Sequence, residues 1–283
     1  MTHNNTRAEG SVIVYQSAVQ VRETAFLLIL QALRGYRDKV GSRWRKLPDE
    51  VVAGIVLAVL RHGQRPADLA AAHAIAHTTV RRWVQQVITV LAAQLPRLDR
   101  VLDRAERDGL HVLLLDGSFI PTDRPTDRRA EHAHYSGKHR ATGMLVLGLT
   151  DQAGNLLWVS AAVAARTAEI TLARRYRIPA RLRQHEHLGL ICDLGFTTLD
   201  DQPDDQPEDP RVITGKRGSR HRPLSPAEQA TNRLISRERL ANEHAFNHLK
   251  RWRILDRLRG RFRRHATTLI RALVILTNAH ITR

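Results

Sequence analysis

At 283 residues, with 42% hydrophobic but only 5% aromatic residues, the chain is long enough for two domains, or for one large domain with a small appendage, and the core must be built mainly from Leu, Val, Ile and Ala. A formal net charge of +17 exceeds anything folding requires and points to a polyanionic partner, while the lack of a bilayer-length apolar run or a signal-peptide pattern argues against a membrane. The single cysteine, Cys192, excludes an internal disulfide and a cysteine-cluster zinc site; it fits a reducing cytoplasm and reads as a buried structural thiol among Leu190, Ile191 and Leu194.

Residues 1–19 read as a polar tail and 20–96 as an all-helical domain. Apolar positions recur at helical spacing over 20–36, and a basic stretch, Arg43 to Lys46, precedes Pro48. Pro48, Asp49 and Glu50 place a proline in a first turn and acids against the positive end of the dipole, so VVAGIVLAVLRHG is a helix stopped by Gly63. Pro66 opens a second helix, PADLAAAHA. After a break at Ile75 and Ala76 a third begins, HTTVRRWVQQVITVLAAQL, with His77 or Thr78 as its cap. Helix, short turn and helix on a preceding helix is the outline of a helix-turn-helix. It would present His77, Thr78, Thr79, Arg81, Arg82 and Gln85 to DNA, with Val80, Val84, Val87 and Ile88 inward. An ordinary three-helix bundle with a solvated basic face has the same spacing, and the turn lacks the usual glycine.

Residues 97–110 form an amphipathic connector, with Gly109 marking the boundary to a domain over 111–283. Here the periodicity shifts to strands: HVLLLD, GMLVLGLTDQAGN and LLWVSAAVA, the last two joined by a turn from Asp151 to Asn155. HVLLLD reads as a buried strand that stops in a turn at Asp116-Gly117. A helix, TAEITLARRY, starts at Thr167 and ends before Pro179; a shorter helical stretch near 180–187 leads to LGLICDLG, a second apolar run ending in an aspartate, Asp193. DDQPDDQPEDP, residues 200–210, is an acidic, proline-punctuated loop that matches no calcium-loop pattern. The basic VITGKRGSRHRP after it reads as a phosphate-contacting loop carrying Lys216 and Arg217. Ser225, Pro226 and Glu228 start a long helix. Residues 233–264 hold eleven lysines and arginines against three acids, so Glu243, with Arg239 four residues before and Lys250 seven after, stands out on a basic surface; a helix-surface salt bridge is the plainer explanation. A final amphipathic helix, ATTLIRALVILTNAHI, turns Leu269, Leu273 and Leu276 inward.

Two strand-end aspartates and a helical glutamate can converge on divalent metal. Hard carboxylate oxygens suit Mg2+, with Mn2+ able to substitute, and a pair of such ions can support phosphodiester displacement. Asp116 would be the shared ligand, with Asp193 and Glu243 each completing one shell.

At these residues the chain resembles a known family. LLLDGSFIPTDRP, YSGKH (135–139), GLTDQAGNLLWVS, CDLGF (192–196) and the Arg239, Glu243, Lys250 spacing look like the DDE transposases of bacterial insertion sequences, in the branch that pairs a DDE superfamily endonuclease domain with an amino-terminal helix-turn-helix. The likeness runs from about residue 35, where GSRWRKL also fits. It implies an α/β, ribonuclease-H-like catalytic domain, a mixed sheet flanked by helices, preceded by the all-α domain. It also implies Asp116, Asp193 and Glu243 as the catalytic, metal-holding triad, and Lys138, His139, Arg239 and Lys250 as DNA contacts near the cut. The expected partner is double-stranded DNA, both element ends and target, bound by a homodimer or higher assembly in the bacterial nucleoid. The family commonly carries an aspartate after a histidine on the helix following the third strand, where this chain has Ala168 and Glu169. It also differs at Leu194, Phe196 and Ser236, where the family has lysine, tyrosine and tyrosine. Two other readings share these residues: a decayed or domesticated DNA-binding protein, and a nuclease that cuts without joining.

Overall fold

The computed structural model describes residues 22–41, 46–200 and 211–281; the polar tail 1–19, most of the basic stretch from Arg43 and the acidic loop after Asp200 lie outside them. Five helices come first: α1 (Glu23–Lys39), α2 (Asp49–His62), α3 (Pro66–Ala72), α4 (His77–Gln94) and α5 (Leu98–Arg107). The helix α2 stops where expected, because Gly63 takes the left-handed φ of 65° and its N–H closes on the Val59 carbonyl. Between α3 and α4 the glycine-free turn is made by Ala74, which itself adopts φ 50°. The cap of α4 is Ala76, with no side-chain cap bond, so neither His77 nor Thr78 caps it; both are already inside the helix. Val80, Val84, Val87 and Ile88 are buried as their spacing predicts.

The remainder is mixed. In order come β1 (Val112–Pro121), α6 (Arg128–His134), β2 (Tyr135–Ser136), β3 (Ala141–Thr150), β4 (Leu156–Val159), β5 (Val163–Ala164), α7 (Glu169–Arg175), α8 (Ile178–Leu182), β6 (Gly189–Cys192), β7 (Val212–Thr214), α9 (Pro226–Lys250), α10 (Gly260–Arg264) and α11 (Ala266–Ile281). The sheet runs β2-β3-β1-β6-β7, with β4 and β5 also on β3. β1 is antiparallel to β3 and parallel to β6, and β6 is parallel to β7. This is a mixed sheet flanked by helices, the ribonuclease-H-like arrangement. The segment expected to be a basic loop from Val212 therefore begins as an edge strand, since Val212, Ile213 and Thr214 pair in parallel with Leu190, Ile191 and Cys192. Ser225 forms the expected capping box with Glu228 and starts α9.

Strand alternation sorts the core into two layers. Leu113, Leu115, Leu145, Leu147 and Leu149 pack toward α5, α7 and α8. Ile120 and Val146 pack the other way, with Phe246 of α9, the amino-terminal helices and α11. Leu269, Leu273 and Leu276 are fully buried in that second layer, so α11 ties α4 to the sheet. Cys192 is buried and free, and burial pushes its thiol well above the ordinary range. Among the described residues no helix is long and apolar enough to cross a membrane.

Candidate active site

Asp116 does not end its strand. β1 continues through Gly117 to Pro121, paired residue by residue with β3 from Leu114↔Thr150 to Pro121↔Gly143. The Asp-Gly pair reads locally as a turn, but an eight-residue ladder outweighs that preference. What Gly117 provides instead is room: a Cβ there would lie 2.4 Å from Cδ and Oε1 of Glu169. On the other side of β1, β6 ends at Cys192. The parallel register Leu114↔Ile191, carried two residues further along each strand, sets Asp116 beside Asp193 at the point where β1 loses its neighbour. Asp193 stands just past its strand end, as expected, and caps a short 3-10 turn by accepting the Gly195 N–H at 2.8 Å.

Three carboxylates meet in this opening. One oxygen from each of Asp116, Glu169 and Asp193 lies within 4.8 Å of the others. Among the described residues, one cation is ion-paired with them: the Arg239 guanidinium, from α9, donates to Asp116 at 3.3 Å and lies 3.9 Å from Asp193, while its buried Nε has no partner. Burial pushes Asp116 above the ordinary carboxylate pKa; Arg239 and the Gly117 N–H act against this, and the Asp193 charge adds to it. Glu169 is raised by burial, then by Asp116 and Asp193. Around the rim, Lys138 acts on Glu169 and Lys250 on Asp116. His139 is held below its usual pKa by burial and by the charges of Lys138 and Lys250.

Both acid shifts are upward, so these groups bind protons more tightly in the folded state than in the unfolded chain. Their contribution to stability is greatest below the ordinary carboxylate range and declines as pH rises through that range toward the raised folded values. Replacing Glu169 by glutamine removes a repelled charge at nearly constant shape. In chelator at pH 7 this variant should be more stable by about 1 kcal/mol, or about 2–4 °C in midpoint. A midpoint equal to or below wild type in thermal unfolding would mean that the carboxylate is held by favourable contacts instead.

A match over residues 115–278, more than half of the chain, is to the DDE superfamily endonuclease family. The chain belongs to the DDE superfamily endonucleases. Neither the curated proteins nor the solved structures include a match to it. Endonucleases of this superfamily act on DNA and use divalent metal, and the three-carboxylate cluster lies inside the matched segment.

The expected residues fall out unevenly. Asp116 and Asp193 come together, and Arg239 is in direct contact with both. Glu243 is exposed on α9 and lies outside the three-carboxylate group. The inward stripe of that helix carries Ile235, Asn242, Phe246 and Leu249, and this leaves Glu243 at its solvent edge, one turn past Arg239. The third carboxylate of the group is Glu169, which was not among the expected site residues. The sequence contains a pointer to it, an acid at the place where the family carries an aspartate after histidine. Lys138 and His139 are exposed beside the cluster, whereas Lys216 and Arg217 are exposed after β7, with Lys216 paired to Glu228 at 3.3 Å. His77, Thr78, Arg81 and Arg82 are exposed on the first turns of α4, and Thr79 is half-buried.

Proposed function

We propose that this endonuclease is a transposase that binds the ends of its insertion sequence, cleaves them, and joins the freed ends to target DNA. The observation that carries the reading is the convergence of Asp116, Glu169 and Asp193 on one opening of the sheet. The donor set fits a hard divalent cation: it is all carboxylate oxygen, and three acids face one guanidinium, which leaves negative charge for an ion to neutralise. Asp116, Glu169 and Asp193 would hold Mg2+, with Mn2+ substituting, and Glu243 would join from the exposed side of α9. When bound, the metal supplies charge stabilisation for phosphodiester displacement and activation of the attacking oxygen.

The chain's own residues do the rest. Asp116, reached by two other acids and by Arg239, fixes the relative positions of the acidic groups. Arg239 neutralises part of their charge and orients Asp116 and Asp193. Lys138, His139 and Lys250 ring the opening and would hold the DNA backbone over it, a salt-sensitive contact without sequence preference. Lys216 and Arg217 extend that basic surface. Sequence reading falls to the start of α4, where His77, Thr78, Thr79, Arg81 and Arg82 would meet base edges and phosphates in the manner of a helix-turn-helix. Joining two ends requires at least a homodimer, assembled on DNA in the nucleoid.

The test is a cleavage and strand-joining assay with Mg2+ on DNA carrying the sequences that flank the gene, comparing wild type with Asp193→Asn and Glu243→Gln. Cutting and joining by wild type, lost in both variants, is the expected result. Cutting without joining would move the protein to the nuclease reading, and binding without cutting to the DNA-binding one. An active Glu243→Gln would remove Glu243 from the site and leave the three clustered carboxylates to carry it.

A further inference from the structure

Phe119 follows Asp116 by three residues in β1. Alternation puts it on the same side of the strand as Gly117, the side from which Glu169 reaches the cluster. Its ring lies against the backbone of Gly143 so closely that a Cβ there would be 2.3 Å from Cε2 and 2.4 Å from Cζ. The imidazole of His139 stacks on the ring, with centroids 4.3 Å apart and planes inclined by 15°. His139 is exposed, and Phe119 beneath it is only partly buried. An aromatic pair that served packing alone would be covered by aliphatic side chains. This one stands at the surface beside Lys138 and Lys250, the two lysines whose charges also reach Glu169 and Asp116.

Resting on the DNA-cleaving reading above, we propose that the Phe119–His139 stack is a platform for an unpaired nucleobase beside the phosphate being cut. A flat ring backed by a second ring offers a stacking surface to any base, because every base has a π face, and the neighbouring lysines suit the phosphates on either side of it. The absence of a side chain at Gly143 is what lets the lower ring lie flat and hold the upper one in place. A base drawn onto His139 leaves the duplex and draws its phosphate toward the acids, which couples local strand opening to cleavage. Phe119 does not touch the DNA in this arrangement; it is a positioning residue for His139.

The experiment uses full-length protein and duplexes carrying the gene-flanking sequence, with 2-aminopurine placed in turn at each position around the cut. In Ca2+, wild type should change the probe's emission at one position, His139→Ala should abolish the change, and His139→Trp should retain it. With Mn2+, His139→Ala should cut about tenfold more slowly than wild type. On a duplex with an abasic site at the reporting position the loss should shrink several-fold, leaving only what a backbone contact of His139 contributes. An unchanged probe in the bound wild-type complex, or an equal loss on base-containing and abasic duplexes, would overturn the platform. A probe change without any cleavage by wild type would support the platform and overturn the nuclease reading instead.

Discussion

Asparagine at position 116 is expected to lower metal-dependent DNA cleavage by at least about a thousandfold while leaving the protein folded. Asp116 is the residue on which the site's contacts converge: Arg239 donates to it, the Asp193 charge raises its pKa, its own charge raises that of Glu169, and Lys250 feels it from the rim. Electrostatic stabilisation by a held metal is worth several kcal/mol in the transition state, and each ~1.4 kcal/mol is tenfold in rate. The amide is nearly isosteric, yet it offers one oxygen without the negative charge. It should cost little in stability, because burial already disfavours the charge. The Gly117 N–H can still be satisfied by the amide oxygen. Nicking of supercoiled plasmid with Mn2+, read beside thermal unfolding, checks both halves. Activity within tenfold of wild type would remove Asp116 from the chemistry.

Alanine at position 117 should be nearly as damaging, and for a reason that only the three-dimensional arrangement supplies. The added methyl would stand 2.4 Å from the Glu169 carboxyl group and 2.7 Å from its Cγ. The three nearest atoms all belong to Glu169, whose side chain is long and flexible, so the clash resolves by expelling that carboxylate from the cluster rather than by moving backbone. The expectation is a loss of about a hundredfold, equal to that of Glu169→Gln. No further loss should occur when the two changes are combined, because both remove the same group. Thermal stability in chelator should be close to wild type. Full activity in Gly117→Ala would show that Glu169 takes no part, and additive losses would mean that the methyl disturbs Asp116 directly.

The contrast between Glu169 and Glu243 separates what a pattern can and cannot specify. Periodicity says that Arg239, Glu243 and Lys250 share one side of a helix, and they do lie near one another along α9. It does not fix the rotation at which the helix docks. Ile235, Asn242 and Phe246 set that rotation by packing on the sheet, and they bring Arg239 to Asp116 and leave Glu243 at the exposed edge.

Several features were legible in the chain itself because their causes are local. Gly63 ends α2, Ser225 and Glu228 open α9, the leucines of α11 face inward, and Asp193 follows a short buried strand. Each depends on a few neighbouring residues, a cap bond or a 3.6-residue stripe. The charge excess and the order of motifs likewise pointed to DNA without any coordinates. Tertiary structure alone decided that β1 runs past Gly117, because the energy that extends it comes from β3, far along the chain. It also decided that Glu169 enters the site, since the space it fills exists only where a glycine on one strand faces the first turn of α7. A local sequence window records what a residue prefers; the partners that override the preference arrive from elsewhere in the fold.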